Sequence, residues 1–350
     1  MPALGSRVTT TTSFKIMPLV VDTILNSNVF CTRVLSKAKK WSGEQIKFPV
    51  KVSKNTTGTS FSGFDTFSTA AIDNRVLLAF SPKFYQMTAA LPLDELSANQ
   101  VSETKIIDLA ALTLQSTAQD MADDLGTIFY SDGTGNGSKD PLGLNAIVDD
   151  GSTVGTFGGQ SRTTYTTLKA TLTASGGTLT LAKMSTLYNA ISSGSQKPTL
   201  GLTTEAVFNF YEQLLQPQER IMKDTPMMKA DGTISKEGTG YIGGTGFTGL
   251  MFKGFPILAD EKATSQAMYF INENFVDWYA LPMAMTEPVK YAPVDLQGND
   301  YNGVLGLGFS WSGWVKPTNS AAVVGHVYLG GELVSDNPKR QGQLTGITGV

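Results

Sequence analysis

An α+β fold built around one long amphipathic helix is what the sequence predicts, on three observations. Apolar residues recur at gaps of three and four between residues 97 and 129. The run from Trp41 to Val52 alternates apolar with polar residues and Arg75 to Phe80 reads as a second strand, and 145–284 mixes helical and extended patterns instead of alternating them strictly. At 350 residues the chain exceeds one typical domain, so two or more lobes are expected.

Residues 1–36 open with a Thr-rich tract and continue with Ile16, Met17, Leu19, Val20, Val21, Ile24, Leu25, Val29 and Phe30. No flanking stretch offers these apolar side chains a compact partner. Two readings stand: an arm laid across a neighbour or a distant part of the chain, or a short docked helix around Pro18 to Asn26.

From Trp41 to Val52 the chain alternates, with Ile46, Phe48, Val50 and Val52 on one face and Gln45, Lys47 and Lys51 on the other. Arg75 to Phe80 is a second strand. Between them lies a Gly/Ser/Thr-rich stretch that bears Phe61, Phe64 and Phe67. The simplest assembly is a two-stranded ribbon with an aromatic tip. Such a ribbon is marginal alone in water and needs another surface. Packing into its own sheet is one solution; the exposed aromatics favour another subunit.

The central helix carries Ile107, Ala111, Leu114, Ala118, Met121, Leu125 and Ile128 on one face, and Glu103, Asp108, Gln115, Gln119 and Asp123 on the other. Ser97 followed by Gln100 has capping-box spacing, which sets the start near Ser97. To Phe129 the helix would run ~45 Å at ~1.5 Å per residue. Gly133, Gly135, Asn136 and Gly137 then force a reversal, and Pro141 to Leu144 restarts an extended segment. Asp132, Thr134, Asn136 and Gly137 match the opening of a calcium loop, but Gly143 stands where that loop needs a bidentate Glu; a structural turn is the favoured reading.

In the mixed lobe, Leu181, Met184, Leu187, Tyr188 and Ile191 are helically spaced, and Leu200 to Thr204 reads as a strand ending in a helix cap before Val207, Phe208, Tyr211, Leu214 and Leu215. A Gly-dense loop at 229–249 precedes strands at 252–258 and 267–281. Alternating strands between 287 and 325 return toward the helix, and the polar tail after 331 is expected along a surface.

Charged residues make up 16% of the chain, against about 25% in an ordinary soluble domain, which suits a surface that faces protein. The net charge of −3 supplies no basic field toward nucleic acid, and Lys37, Lys39 and Lys40 read as a solvated patch. One Cys, Cys31, and one His, His326, exclude intrachain disulfides and an ordinary Cys/His zinc site. With no ~18-residue apolar run and no signal-peptide h-region, a soluble chain made in the cytoplasm is expected.

Nothing in the sequence assembles a catalytic motif. Gly238, Gly240 and Gly243 match G-x-G-x-x-G but follow a polar turn and open no helix, so the phosphate-binding context is missing. Asp123-Asp124 and Asp149-Asp150 sit in polar surroundings and read as solvated, and His326 falls within an expected strand as a structural residue.

Together the order of arm, ribbon, long helix, DGTGNG turn closing on PLGLN, mixed lobe and returning sheet resembles the tailed-phage major capsid proteins of the HK97 fold. The stretches that carry the likeness are 132–145, LGLTTEAVFNFYEQL, FKGFPILAD, MYFINENFVDWYAL and LVSDNPKRQG. The resemblance implies an N-terminal arm (1–36), an extended E-loop hairpin (37–90), a peripheral domain with the spine helix (91–144), an axial domain (145–284), return strands (285–330) and a tail (331–350). It further implies a non-enzymatic subunit, without cofactor or metal, that forms pentamers and hexamers of an icosahedral head. That head would hold double-stranded DNA non-specifically in a virion assembled in host cytoplasm. Separate scaffolding, portal and decoration proteins are the implied partners, and because the arm starts near Met1 a separate scaffold or none is expected. Lys47, Lys51 and Lys54 are available for crosslinks, but none is assigned. Candidate subunit-interface residues are Trp41, Phe48, Lys54, Phe61, Phe64, Phe67 and Phe80. A β-rich tail or adhesion protein, and an encapsulin-like nanocompartment shell of the same fold, are the alternatives.

Overall fold

A computed structural model describes residues 28–98, 103–222, 249–281, 287–288 and 308–349. The expected arm before residue 28, the Gly-dense loop with Gly238, Gly240 and Gly243, and the VKYAPV strand fall outside the described residues, as do the side chains of Ile107 and Ala111.

The long helix spans Glu103–Phe129, 27 residues, or about 40 Å. Its stripe of Leu114, Ala118, Met121, Leu125 and Ile128 is buried while Gln115, Gln119 and Asp123 face solvent, so the periodicity placed that face correctly. The start differs from expectation. Ser97 lies inside a separate short helix, Leu93–Ala98, directly continuous with the strand Lys83–Pro92. That strand was not foreseen; it runs antiparallel to Ala322–Ser335 over ten register pairs, from Lys83 opposite Gly331 to Pro92 opposite Ala322.

Two six-stranded sheets flank the helix. The first runs Lys39–Lys40, Val276–Ala280, Ala322–Ser335, Phe309–Trp311, Glu287–Pro288, with Lys83–Pro92 also pairing to the 14-residue strand. The second runs Gly249–Phe252, Phe255–Ala259, Leu200–Thr203, Met268–Ile271, Gly342–Leu344, Thr171–Thr173. Its central strands are buried on both faces, as expected of a sheet between two layers. Alternation sorts their side chains: Leu200, Leu202, Tyr269 and Ile271 join the larger core with the long helix, while Ile257, Met268, Phe270 and Leu344 join a smaller core under the helices Leu181–Ile191 and Glu205–Met222.

Several expectations are corrected. Residues 252–258 are two strands of a hairpin, because Lys253 and Gly254 both take positive φ (45° and 93°) and reverse the chain. Residues 267–281 are likewise two strands, split by the turn Glu273–Phe275, and they belong to different sheets. The extended restart ends at Gly143, and its last expected residue, Leu144, opens a short helix, Leu144–Ile147. The tail is interior: Glu332, Ser335 and Gln341 are buried, and Gly342–Leu344 is an inner strand. Gln341 explains how a polar tail enters a core, since its side chain accepts from Asn272 N at 2.8 Å and donates to Asn272 O at 3.1 Å.

Val29 and Phe30, expected to need a distant partner, find one within the chain. The helix Val29–Ser36 packs its buried Val29, Phe30, Cys31, Val34 and Leu35 against the end of the long helix. Buried Asp260 fixes its first turn: the carboxylate accepts from Phe30 N (3.1 Å), Tyr130 OH (3.1 Å) and Lys262 N (3.0 Å). A carboxylate at a helix N-terminus is favourably placed against the macrodipole. Arg33 adds a bidentate pair with Glu273 at 2.8 and 2.9 Å. Burial pushes Glu273 up, but Arg33 and Lys37 outweigh it and hold the carboxyl below its ordinary value.

Candidate functional site

The ribbon is the feature that the sequence singled out. Its strands, Ile46–Lys51 and Arg75–Phe80, pair antiparallel from Ile46 opposite Phe80 to Lys51 opposite Arg75. Exposure alternates along Ile46–Lys51, which turns Ile46, Phe48 and Val50 toward the body and Lys47, Pro49 and Lys51 outward. Lysine and proline on an open strand edge discourage uncontrolled edge-to-edge pairing. A cleft of about 760 Å³ runs under the ribbon, with Phe48, Tyr279 and Val334 on its walls and Lys39, Asp277 and Arg340 at its rim. Lys39 there pairs with Asp277 at 2.6 Å.

The candidate interface residues divide into two groups. Trp41 is 2% exposed and Phe80 4%, so both belong to the chain's own core and are corrected as interface residues. Trp41 N donates to Ala280 O at 2.8 Å and its indole to Gly43 O at 2.7 Å, so this residue anchors the ribbon's root. Phe48 is half-buried and stacks on Phe80 at 5.7 Å, continuing that anchor.

At the tip the situation reverses. Phe61 is 67% exposed, Phe67 62%, and Phe64 wholly exposed. Phe61 and Phe67 meet edge to face at 5.2 Å, and the surrounding loop is shaped by its own short-range bonds. Asn55 Oδ1 accepts from Thr57 N and Oγ1, and Asp65 Oδ2 accepts from Ser62 N. Lys54 is exposed beside them. At about 150–250 Å² per ring, the three phenylalanines present on the order of 400 Å² of aromatic surface to water. The sequence did not single out the exposed Leu77, Phe84 and Leu112, because an apolar residue in a strand or helix stripe carries no sign of which face stays open.

The acidic and histidine candidates have local duties. Asp123 pairs with Lys262, Asp124 accepts from Tyr85 OH at 2.5 Å, and Asp149 is buried against Arg162 at 3.3 Å, not solvated. Asp132 accepts from Thr134 Oγ1 at 2.7 Å and Thr134 N at 3.0 Å; the hydroxyl bond first, then the amide, hold its carboxyl below the ordinary value and shape the turn. His326 Nδ1 lies 2.9 Å from Thr88 Oγ1 across the paired strands. Burial pushes the Cys31 thiol far up, with Asp260 adding to the shift, which leaves it unreactive. Among the described residues no helix is long and apolar enough to cross a membrane.

The sequence matches no protein-family model and no curated protein. Among solved structures the chain is similar to the capsid of cyanophage A-1(L), at TM-score 0.64 and 14% identity over 91% of this chain and 92% of that one. It is also similar to the SrpI encapsulin of Synechococcus elongatus PCC 7942, at TM-score 0.54 and 12% identity over 91% of this chain and 87% of that one. At such identities the likeness is one of fold. The chain has the HK97-like α+β fold that the resemblance implied, with the ribbon, the long helix and the mixed lobe in the expected order.

Proposed function

We propose that this chain is the repeating subunit of a closed protein shell, a major capsid protein whose pentamers and hexamers build an icosahedral phage head around double-stranded DNA. The observation that carries this reading is the aromatic tip. Phe61, Phe64 and Phe67 stand in water beyond two strands that rest one face on the body through Ile46, Phe48, Val50, Leu78 and Phe80. An apolar patch of a few hundred Å² on a monomer marks an interaction site. The proposed partner is a sister copy, in contacts that rotate into closed rings. Covering a phenylalanine is worth roughly 1.5–3 kcal/mol each, which favours docking of the three rings. The low charge content, 16%, suits a subunit with a large share of its surface against protein.

The proposal extends to a non-enzymatic role, location in the virion capsid after assembly in host cytoplasm, and separate scaffolding, portal or decoration proteins as partners. Packaged DNA is held without base readout. Arm, E-loop, peripheral and axial regions are the proposed division of labour, with Lys54, Phe61, Phe64 and Phe67 as interface residues. A nanocompartment shell around enzyme cargo is the second reading, supported by the likeness to the SrpI encapsulin.

The test is deletion of residues 53–70. The variant is expected to remain a soluble, folded subunit that closes no shells; normal particles in electron micrographs refute the ribbon's role. Nucleic acid or protein inside wild-type particles separates the first reading from the second.

A further inference from the structure

A ribbon that docks on a neighbour acts as a lever, and its fulcrum is resolved in detail. The outer edge of Arg75–Phe80 is held by a small hairpin, Thr156–Phe157 with Gln160–Ser161. Ala79 N donates to Gly158 O at 3.0 Å, Gln160 Nε2 donates to Leu77 O at 3.1 Å, and the Phe157 ring meets Phe80 edge-on at 5.3 Å. Gly158 takes φ +56°, which favours glycine, and a Cβ there would lie 3.0 Å from Leu78 Cβ and Phe80 Cζ, so a larger residue strains the turn and pushes on both side chains.

The hairpin is in turn fixed by one fully buried side chain. Arg162 Nε donates to Leu168 O (3.1 Å), Nη1 to Val154 O (3.1 Å) and Asp149 Oδ2 (3.3 Å), and Nη2 to Ala146 O (2.7 Å) and Ile147 O (3.2 Å). The guanidinium thus has five bonds for its five N–H groups, and it also lies 4.9 Å from the Phe157 ring. Asp149 Oδ2 closes the loop by accepting from Gly151 N and Val154 N at 2.8 and 2.9 Å. A lysine has neither the planar fork nor the donors to replace this hub.

We propose that residues 149–168 form a positioning cradle, with Arg162 as its fixed point, that sets the angle at which the ribbon leaves the body and thereby the curvature of the assembly. Phe64 lies up to roughly 50 Å of extended chain from Phe80, at ~3.3 Å per residue. A 5° tilt at the root therefore moves the tip by about 4 Å, enough to exchange one side-chain contact for the next. The curvature step rests on the shell reading above; the cradle itself does not.

Arg162→Met removes the donor to four backbone carbonyls and leaves buried Asp149 without its cation, and is expected to compromise folding, so it does not decide the matter. Gly158→Ala and Gln160→Ala do, with exposed Thr153→Ala in the same loop as the control. In the full chain, before shells form, both variants are expected to speed amide exchange at Ala79 at least tenfold while exchange in the long helix stays unchanged. After assembly they are expected to give particles of mixed diameter or open sheets, where the wild type and Thr153→Ala give one diameter. Unchanged exchange at Ala79 overturns the cradle. Faster exchange with an unchanged diameter overturns its control of curvature. If the wild-type chain forms no particles, the shell reading and the curvature step fall together, and the exchange result still decides the cradle.

Discussion

Glu332 gives the sharpest test of the packing described above. It sits in the long strand Ala322–Ser335, is buried, and its Oε1 accepts from Leu142 N (2.5 Å) and Leu333 N (3.2 Å). Lys83, the nearby cation acting on it, is engaged with Ser138 O. Burial dominates over the two amide bonds and pushes the carboxyl up to about 8 from 4.5. Between those values the folded chain keeps a proton that the unfolded chain has released. Stability is then fully present below about pH 4.5 and falls as pH rises through about 8, by at most ~1.4 kcal/mol per pH unit and several kcal/mol across the window. Glu332→Gln keeps an acceptor for both amides and cannot ionise, so it is expected to remove this slope. At ~2.1 cal/mol/K per residue, a chain of 350 residues shifts its melting temperature by about 1–2 °C per kcal/mol. Thermal melts of the subunit from pH 5 to pH 9 are expected to coincide for the two proteins at pH 5 and to separate by about 3–6 °C at pH 8.5, the variant being the more stable. A variant that is destabilised equally at every pH would refute the reasoning, because it would mean that Glu332 is charged in the fold.

The remaining predictions divide root from tip and body from arm. Trp41→Ala is expected to cost the subunit about 3–5 kcal/mol in denaturant titration, and Phe61→Ala less than about 1 kcal/mol; equal losses contradict the division of the ribbon into anchored root and free tip. Asp260→Ala strands Phe30 N, Tyr130 OH and Lys262 N, and chemical denaturation is expected to show a loss of about 2–4 kcal/mol. A change under 0.5 kcal/mol would mean that water replaces the carboxylate at no cost. Phe64→Ser is expected to lower the melting point of assembled particles more than Lys54→Ser, and to leave that of the isolated subunit unchanged. Identical particle melts for the two variants count against an aromatic interface.

How much of this was legible in the sequence depends on the kind of signal. Alternation and helical spacing report which face is covered, and they located the ribbon strands and the buried stripe from Leu114 to Ile128 because each is a local pattern. They are silent about which sheet a strand joins. Residues 267–281 read as one apolar run, yet Asn272, Glu273 and Asn274 mark the turn that sends Met268–Ile271 to one sheet and Val276–Ala280 to the other. FKGFPIL read as one strand, although Lys253-Gly254 inside it reverses the chain with positive φ at both residues. The tail failed for another reason: polarity was taken for exposure, whereas Gln341 and Glu332 are buried with hydrogen bonds to backbone groups far away in sequence. Trp41 and Phe80 were grouped with the tip because aromatic content cannot separate a root residue from a free one; only the partners that the fold brings to them can. Arg162 gave no sequence signal at all. Its five acceptors lie at residues 146, 147, 149, 154 and 168, and nothing in the one-dimensional pattern shows that they converge.

The central claim, that the exposed ribbon tip completes itself on sister copies, is tested most directly by cryo-electron microscopy of the purified full-length chain at high concentration. Closed shells in which Phe61, Phe64 and Phe67 are covered by an adjacent subunit are the expected result. A compact monomer with residues 53–70 folded onto its own body contradicts the account.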